Sequence, residues 1–222
     1  MRVHEIFASI DGEVNKWGAG HPTVFIRFQG CNLRCTYCDT PKSLDILDED
    51  IAVDMEIDEI VDKVISFGLN KVTITGGEPL YQKPPDELKS MYHAAVLELV
   101  DRLSDLGQLI SVETNGTQPI PTYYTLLDNV GWVVDYKWEY NRQMIVNYQG
   151  LGPQDWIKFV VSAEHVIETF NKIKEMRKEG VSAQIAVSST TNSHAWLAEM
   201  LIKEKMADVH LNVQLHKLIG VA

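Results

Sequence analysis

Strand-like and helix-like stretches take turns along most of this chain, and that alternation limits the fold more than any other feature. Residues 23–28 form a short apolar run of strand character. Residues 54–67 carry Ile57, Ile60, Val61, Val64 and Ile65 at helical spacing and are closed by Gly68. Residues 71–75 predict a strand, followed by a Gly-Gly turn and a helix from about 85 to 106. Further strands are predicted over 109–113, 131–137 and 156–161. A helix over 163–178 would bury Val166, Ile167, Phe170, Ile173 and Met176 on one face. A strand over 184–187, a helix over 194–206 and a strand over 209–215 complete the series. Repeated βα units imply a mainly parallel sheet of six or seven strands with helices outside. A curved partial barrel and an open doubly wound sheet both satisfy that pattern, and both gather their chemistry at the carboxyl ends of the strands.

The length of 222 residues suits a single domain, 1–222, with no repeat or linker to divide it. A net charge of −11, from 20 Lys and Arg against 31 Asp and Glu, argues against a nucleic-acid-binding or anionic-membrane surface. The opening Met1-Arg2-Val3-His4-Glu5 lacks the apolar run of a signal peptide, and no stretch approaches the roughly 20 apolar residues of a membrane span. The odd number of cysteines is not a disulfide framework, so a cytoplasmic location is expected.

All three cysteines fall within eight residues, as Cys31-Asn-Leu-Arg-Cys35-Thr-Tyr-Cys38, just beyond the first predicted strand of the βα series. Three thiolates cannot complete a four-cysteine zinc site, but they can hold three irons of a 4Fe–4S cluster and leave the fourth open to a ligand. Three free core cysteines, or a zinc site completed by a nearby His, are the alternatives the spacing leaves standing. Thr75-Gly76-Gly77-Glu78-Pro79 follows a predicted strand, and its glycines would let the backbone approach a ligand without a Cβ in the way. Glu113-Thr-Asn-Gly116 offers a strand-end carboxylate suited to ribose hydroxyls beside an Asn-Gly turn.

Taken together, Cys-x3-Cys-x2-Cys followed after one βα unit by Gly-Gly-Glu-Pro resembles the radical S-adenosylmethionine (SAM) superfamily. The two ends narrow the resemblance. Glu5-Ile-Phe-Ala-Ser-Ile10-Asp11-Gly12-Glu13, His21-Pro-Thr-Val-Phe-Ile-Arg27, Cys38-Asp39-Thr40 and Gln214-Leu-His216-Lys resemble the 7-carboxy-7-deazaguanine synthases. The resemblance implies a partial (β/α) barrel of about six parallel strands with helices outside. It implies a 4Fe–4S cluster, SAM and Mg²⁺ as cofactors. The implied reaction converts 6-carboxy-5,6,7,8-tetrahydropterin to 7-carboxy-7-deazaguanine with loss of ammonia, on the way to queuosine-type deazapurines.

On matching residues, the resemblance assigns the cluster to Cys31, Cys35 and Cys38 and a Mg²⁺ ligand to Thr40, a hard oxygen donor. It assigns SAM contacts to Tyr37, Asp39, Gly76, Gly77, Glu78, Glu113, Asp135, Lys137 and Ser188. Substrate contacts fall to Ile10, Asp11, Gly12, Glu13, Arg27, Thr75, His216 and the terminal carboxylate of Ala222. Arg27 suits the substrate carboxylate, since a cation inside a strand is costly to bury without an anion. The implied partners are the pterin, an external one-electron donor such as flavodoxin or ferredoxin, and a second copy in a homodimer. The chain departs from the family pattern at Asp11, Val14, Asp135-Tyr136, Ser188-Ser189 and Leu215, where Gln, Gly, Ser-Pro, Gln-Pro and Thr are usual. A glycyl-radical enzyme activase or a non-catalytic iron–sulfur or zinc module is the runner-up. The first would have no use for the Asp-Gly-Glu opening, and the second none for Gly-Gly-Glu-Pro.

Overall fold

A computed structural model describes residues 1–46, 51–80, 89–191 and 193–221, without the side chains of 89–93 and 141–143. One sheet runs through the molecule in the order β3-β1-β2-β4-β5-β6-β7-β8-β9. Its strands are β1 (Arg2–Ile10), β2 (Pro22–Phe28), β3 (Val53–Asp54), β4 (Lys71–Gly76), β5 (Leu109–Thr114), β6 (Val130–Tyr136), β7 (Trp156–Val161), β8 (Gln184–Ser189) and β9 (Val209–Leu211). The seven strands β2 and β4–β9 pair in parallel, while β1 and β3 add an antiparallel edge. The helices are α1 (Ile57–Ser66), α2 (Lys89–Asp105), α3 (Thr122–Thr125), α4 (Val166–Lys178), α5 (Ala195–Lys203) and α6 (Leu215–Ile219).

The strand order decides between the two architectures left open by the sequence. A doubly wound sheet reverses direction at a switch point, which puts helices on both faces. Here the parallel strands follow chain order without reversal. Right-handed crossovers that all step the same way put their helices on one face, so this is the partial barrel, with the short β9 as its seventh parallel strand.

Period-two alternation then sorts the side chains. Ile26, Ile74, Val112, Trp132, Phe159 and Val187 point to the helix side and are fully buried there. They meet Ile60 and Val64 of α1, Leu99 and Leu103 of α2, Phe170 and Ile173 of α4 and Leu197 of α5 in one core. The other parity gives Arg27, Thr75, Glu113, Asp135, Lys158 and Ser188, which line the concave face. One strand pattern thus makes an apolar wall outward and a polar wall inward.

Most expected elements lie within a few residues of their predicted bounds; the start of the helix expected from 85 lies outside the described residues. The strand expected over 209–215 stops at Leu211, because α6 begins at Leu215 and the intervening segment turns onto the concave face. Ile167 and Ile65 leave their expected faces and are 49% and 43% exposed. Each lies one position off the buried stripe of its helix, beside Val166 and Val64. β1 was not expected: Arg2, His4 and Glu5 hide its alternation, and its pairing to β2 over Ile6–Ile26 and Ala8–Val24 is tertiary. Among the described residues, no helix is long and apolar enough to cross a membrane.

Candidate active site

The concave face holds a cleft of about 420 Å³ lined by Cys31, Cys35 and Cys38 at one end and by Arg27, Glu13 and Lys158 deeper in. The cysteine loop leaves β2 and is fastened at both flanks. Gly30 N–H donates to Ser43 O at 2.8 Å and Cys31 N–H to Leu44 O at 3.1 Å. Buried Gln29 donates to Lys42 O and Asp45 O at 2.9 and 2.6 Å. On the other flank Thr36 donates its hydroxyl to Glu139 at 2.6 Å, and Arg34 N–H donates to the Tyr140 hydroxyl at 3.2 Å.

The two glycines of the next loop serve that anchoring. A Cβ on Gly77 would stand 2.1 Å from Gly30 O, and one on Gly76, at φ +141°, 2.4 Å from the backbone of Phe28. The space is filled by the cysteine loop's own backbone, with Gly77 N–H donating to Phe28 O at 3.0 Å and Glu78 N–H to Gly30 O at 2.9 Å. Fully buried Glu78 then fastens the loop to the turn after β5. Its carboxylate accepts from Thr114 Oγ1 at 2.6 Å, Asn115 N–H at 2.5 Å and Leu80 N–H at 3.1 Å. Burial pushes it up to about 7 against those donors.

The donor set suits a cluster. Cys31 Sγ accepts from Leu33 N–H at 3.4 Å and from Asn115 Nδ2 at 3.8 Å, the kind of N–H contact that sulfurs of an iron–sulfur centre accept. Burial pushes the Cys31 thiol up to about 11 and raises that of Cys35, so these soft donors ionise readily only against a cation. Thr40 Oγ1 lies 4.0 Å from Cys38 Sγ, at the cleft wall. Lys137 Nζ sits 5.4 Å from the Tyr37 ring centroid and pairs with Asp135 at 2.8 Å. Burial first drives Tyr37 up to about 12. Asp39 takes Gln214 at 3.2 Å and Lys217 at 3.3 Å, which hold it below the usual carboxylate range against the opposing effect of burial.

Arg27 donates Nε to half-exposed Glu5 at 2.8 Å and lies 5.9 Å from the Phe7 ring centroid, with no partner for its Nη groups among the described residues. Thr75 donates to Glu113 at 2.7 Å. Burial first, and then the neighbouring Glu13 carboxylate, push Glu113 up to about 8. Glu13 pairs with Lys158 and accepts Gln214 Nε2 at 2.6 Å. His216 packs on Gly12 so closely that a Cβ there would meet its Nδ1 at 2.0 Å. Burial lowers its pKa. Ser188 donates to Asn212 O at 3.1 Å.

Asp11 lines the cleft, but its carboxylate is taken up inside the protein: Oδ2 lies 3.0 Å from Lys71 Nζ and accepts Thr73 Oγ1 at 3.0 Å. Ile10 pairs with Pro22 at the strand end and does not line the cleft. Ala222 lies outside the described residues. The sequence reading missed Lys158, Lys71, Asn115 and Asn212. A lone Lys within Trp156-Ile-Lys-Phe-Val-Val161 is the same signal that singled out Arg27; Asn115 lies in the Asn-Gly turn noted beside Glu113, and Asn212 carries no such mark.

A family model described as the Radical SAM superfamily matches residues 25–201, and with three thiols at the strand-end cleft of a partial barrel, the chain belongs to that superfamily. Its members bind a 4Fe–4S cluster and SAM. The 7-carboxy-7-deazaguanine synthase of Methanospirillum hungatei is 33% identical over 223 residues, covering 100% of this chain and 86% of that protein. That of Clostridium acetobutylicum is 31% identical over 98% and 95% of the two chains. The chain belongs to the 7-carboxy-7-deazaguanine synthase family. The crystal structure of QueE from Escherichia coli shares the fold, with a TM-score of 0.73 at 22% identity over 97% of this chain and 94% of that one.

Proposed function

We propose that this chain converts 6-carboxy-5,6,7,8-tetrahydropterin to 7-carboxy-7-deazaguanine with loss of ammonia. The observation that carries the reading is one cleft holding three thiols, a guanidinium with open Nη donors at Arg27 and a carboxylate at Glu13. A carboxylated pterin needs both polar groups: a bidentate cation for its carboxylate and an acceptor for its N–H edge.

Cys31, Cys35 and Cys38 hold the cluster, and Tyr37, Gly76, Gly77, Asp135, Lys137 and Ser188 bound the SAM side. Bound there together, the cluster and SAM would supply radical chemistry for hydrogen abstraction. Thr40 offers a hydroxyl oxygen to Mg²⁺, whose role is to orient the substrate carboxylate. Arg27 steers that carboxylate, with the Phe7 ring 5.9 Å from its guanidinium carbon. Glu13, paired with Lys158, accepts from the amino-pyrimidine edge. Burial and the neighbouring Glu13 carboxylate raise Glu113 to about 8, which favours its neutral hydrogen-bonding form. Positioning is the protein's own contribution. The electron arrives from an external donor such as flavodoxin or ferredoxin, and the working unit is a cytoplasmic homodimer.

The test is anaerobic turnover with cluster-reconstituted protein, reductant, SAM, Mg²⁺ and the pterin, read by mass. Product that vanishes in Cys35→Ala supports the reading. Deoxyadenosine without the deazaguanine overturns the substrate assignment.

A further inference from the structure

Lys158 is a cation that touches both sides of the cleft. It stands in the middle of β7 between fully buried Ile157 and Phe159, and is itself 8% exposed. Its ammonium pairs with Glu13 Oε2 and lies 3.2 Å from Asp135 Oδ1. Neither carboxylate depends on it alone. Glu13 also holds Gln214 at 2.6 Å and Asn212 at 3.4 Å, and Asp135 holds Lys137 at 2.8 Å. Asp135 already has a cation of its own, so the ammonium that neutralises Glu13 is also held against a carboxylate with a second counter-charge. Asp135 Oδ1 is buried and faces the Lys158 ammonium at 3.2 Å without a well-aligned hydrogen bond. That oxygen can take a closer donor.

We infer that Lys158 is a positioning residue that couples the pterin and SAM pockets, so that filling one raises affinity for the other. This rests on the functional reading above. When N–H donors of an amino-pyrimidine edge reach Glu13, they take over part of its charge. Lys158 is then freed toward Asp135 Oδ1, and Asp135 needs Lys137 less. The Lys137 ammonium, beside Tyr37 and the cysteine loop, becomes available to an anionic group of SAM. Coupling between two binding equilibria is reciprocal, and a relay of this kind ordinarily gives a factor of about 5 to 150.

The experiment measures SAM dissociation constants by anaerobic equilibrium dialysis on cluster-reconstituted protein without reductant, with and without 6-carboxytetrahydropterin. The wild type should bind SAM about fivefold or more tightly when the pterin is present. Lys158→Met should bind SAM alone and retain its iron but lose that factor, and Lys158→Arg should keep part of it. Asp135→Asn, which preserves shape at the other end of the relay, should lose the factor too and serves if Lys158→Met does not fold. An undiminished factor in Lys158→Met or Asp135→Asn, or a wild type that binds both ligands independently, overturns the coupling and leaves the functional reading intact. A wild type that binds SAM but not the pterin overturns the functional reading and the coupling with it.

Discussion

Glu78 accepts the backbone N–H of Asn115 at 2.5 Å, and Asn115 in turn aims its amide at Cys31. A carboxylate on the loop after β4 thus sets the turn after β5, and that turn braces the cysteine loop. In Glu78→Gln one of the three donors now facing the carboxylate would meet an NH₂ group. The expected cost is about 1–3 kcal/mol, a fall of roughly 2–4 °C per kcal/mol for a chain of this size. Thermal melting of the metal-free protein checks this; an unchanged midpoint would show that the staple contributes nothing.

Gly77→Ala should be worse for the cluster than for the rest of the fold. Its Cβ would press on Gly30 O and Ser43 O at 2.1 and 2.7 Å, and backbone cannot swing aside. An overpacking cost of at least about 1–3 kcal/mol is expected, released by displacing the cysteine loop. Gly107→Ala, at φ +74° with nothing within 4 Å, is the control for backbone strain alone. Iron bound per chain after reconstitution should drop in the first variant and hold in the second.

Asp11 and Lys71 are a buried pair, 2% and 3% exposed. Asp11→Asn strands the Lys71 ammonium, and breaking such a pair costs about 3–5 kcal/mol. Adding Lys71→Met should restore much of the loss. Urea denaturation of the single and double variants reads this directly. Pterin affinity in the double variant should stay within a few-fold of wild type, and a collapse of that affinity would return Asp11 to substrate recognition.

Glu113 gives the apo protein a pH dependence of definite sign. Its folded pKa of about 8 lies above the ordinary carboxylate value of 4.5. The folded state therefore holds a proton that the unfolded state has released, and stability falls as pH rises between those two values. Glu113→Gln should flatten that fall. Chemical denaturation at pH 5 and pH 8 provides the comparison, and equal slopes in both proteins would refute it.

What was legible in the sequence was what one segment carries by itself. The three cysteines, Gly-Gly-Glu-Pro and the strand runs each declare their character within a few residues, and their position at strand ends follows from the βα order. Arg27 was legible as a cation among apolar neighbours, and Lys158 could have been read the same way. Their partners could not. Lys158 finds Glu13 across 145 residues and Asn212 finds it across 199, distances over which local pattern says nothing. Asp11 hides its partner in the same way. The motif suggested a recognition residue, but the carboxylate had a neighbour in Lys71 that only the fold brings near. The glycines after β4 stand out in the sequence, and what they approach in the fold is the cysteine loop.

The junction of Gly12 and Glu13 with Gln214 and Leu215 also sets a timetable for assembly. Gln214 meets Glu13 across 201 residues, and Leu215 N–H donates to Gly12 O at 2.9 Å. At a synthesis rate of about 5–20 residues per second, Glu13 leaves the peptidyl-transfer centre roughly 10–40 s before its partner is made. The parallel strands can add to the sheet one by one as they emerge, since each pairs with the next in order. The wall that completes the cleft cannot. For that interval the nascent chain carries a growing barrel whose ligand-binding chamber is still missing a side.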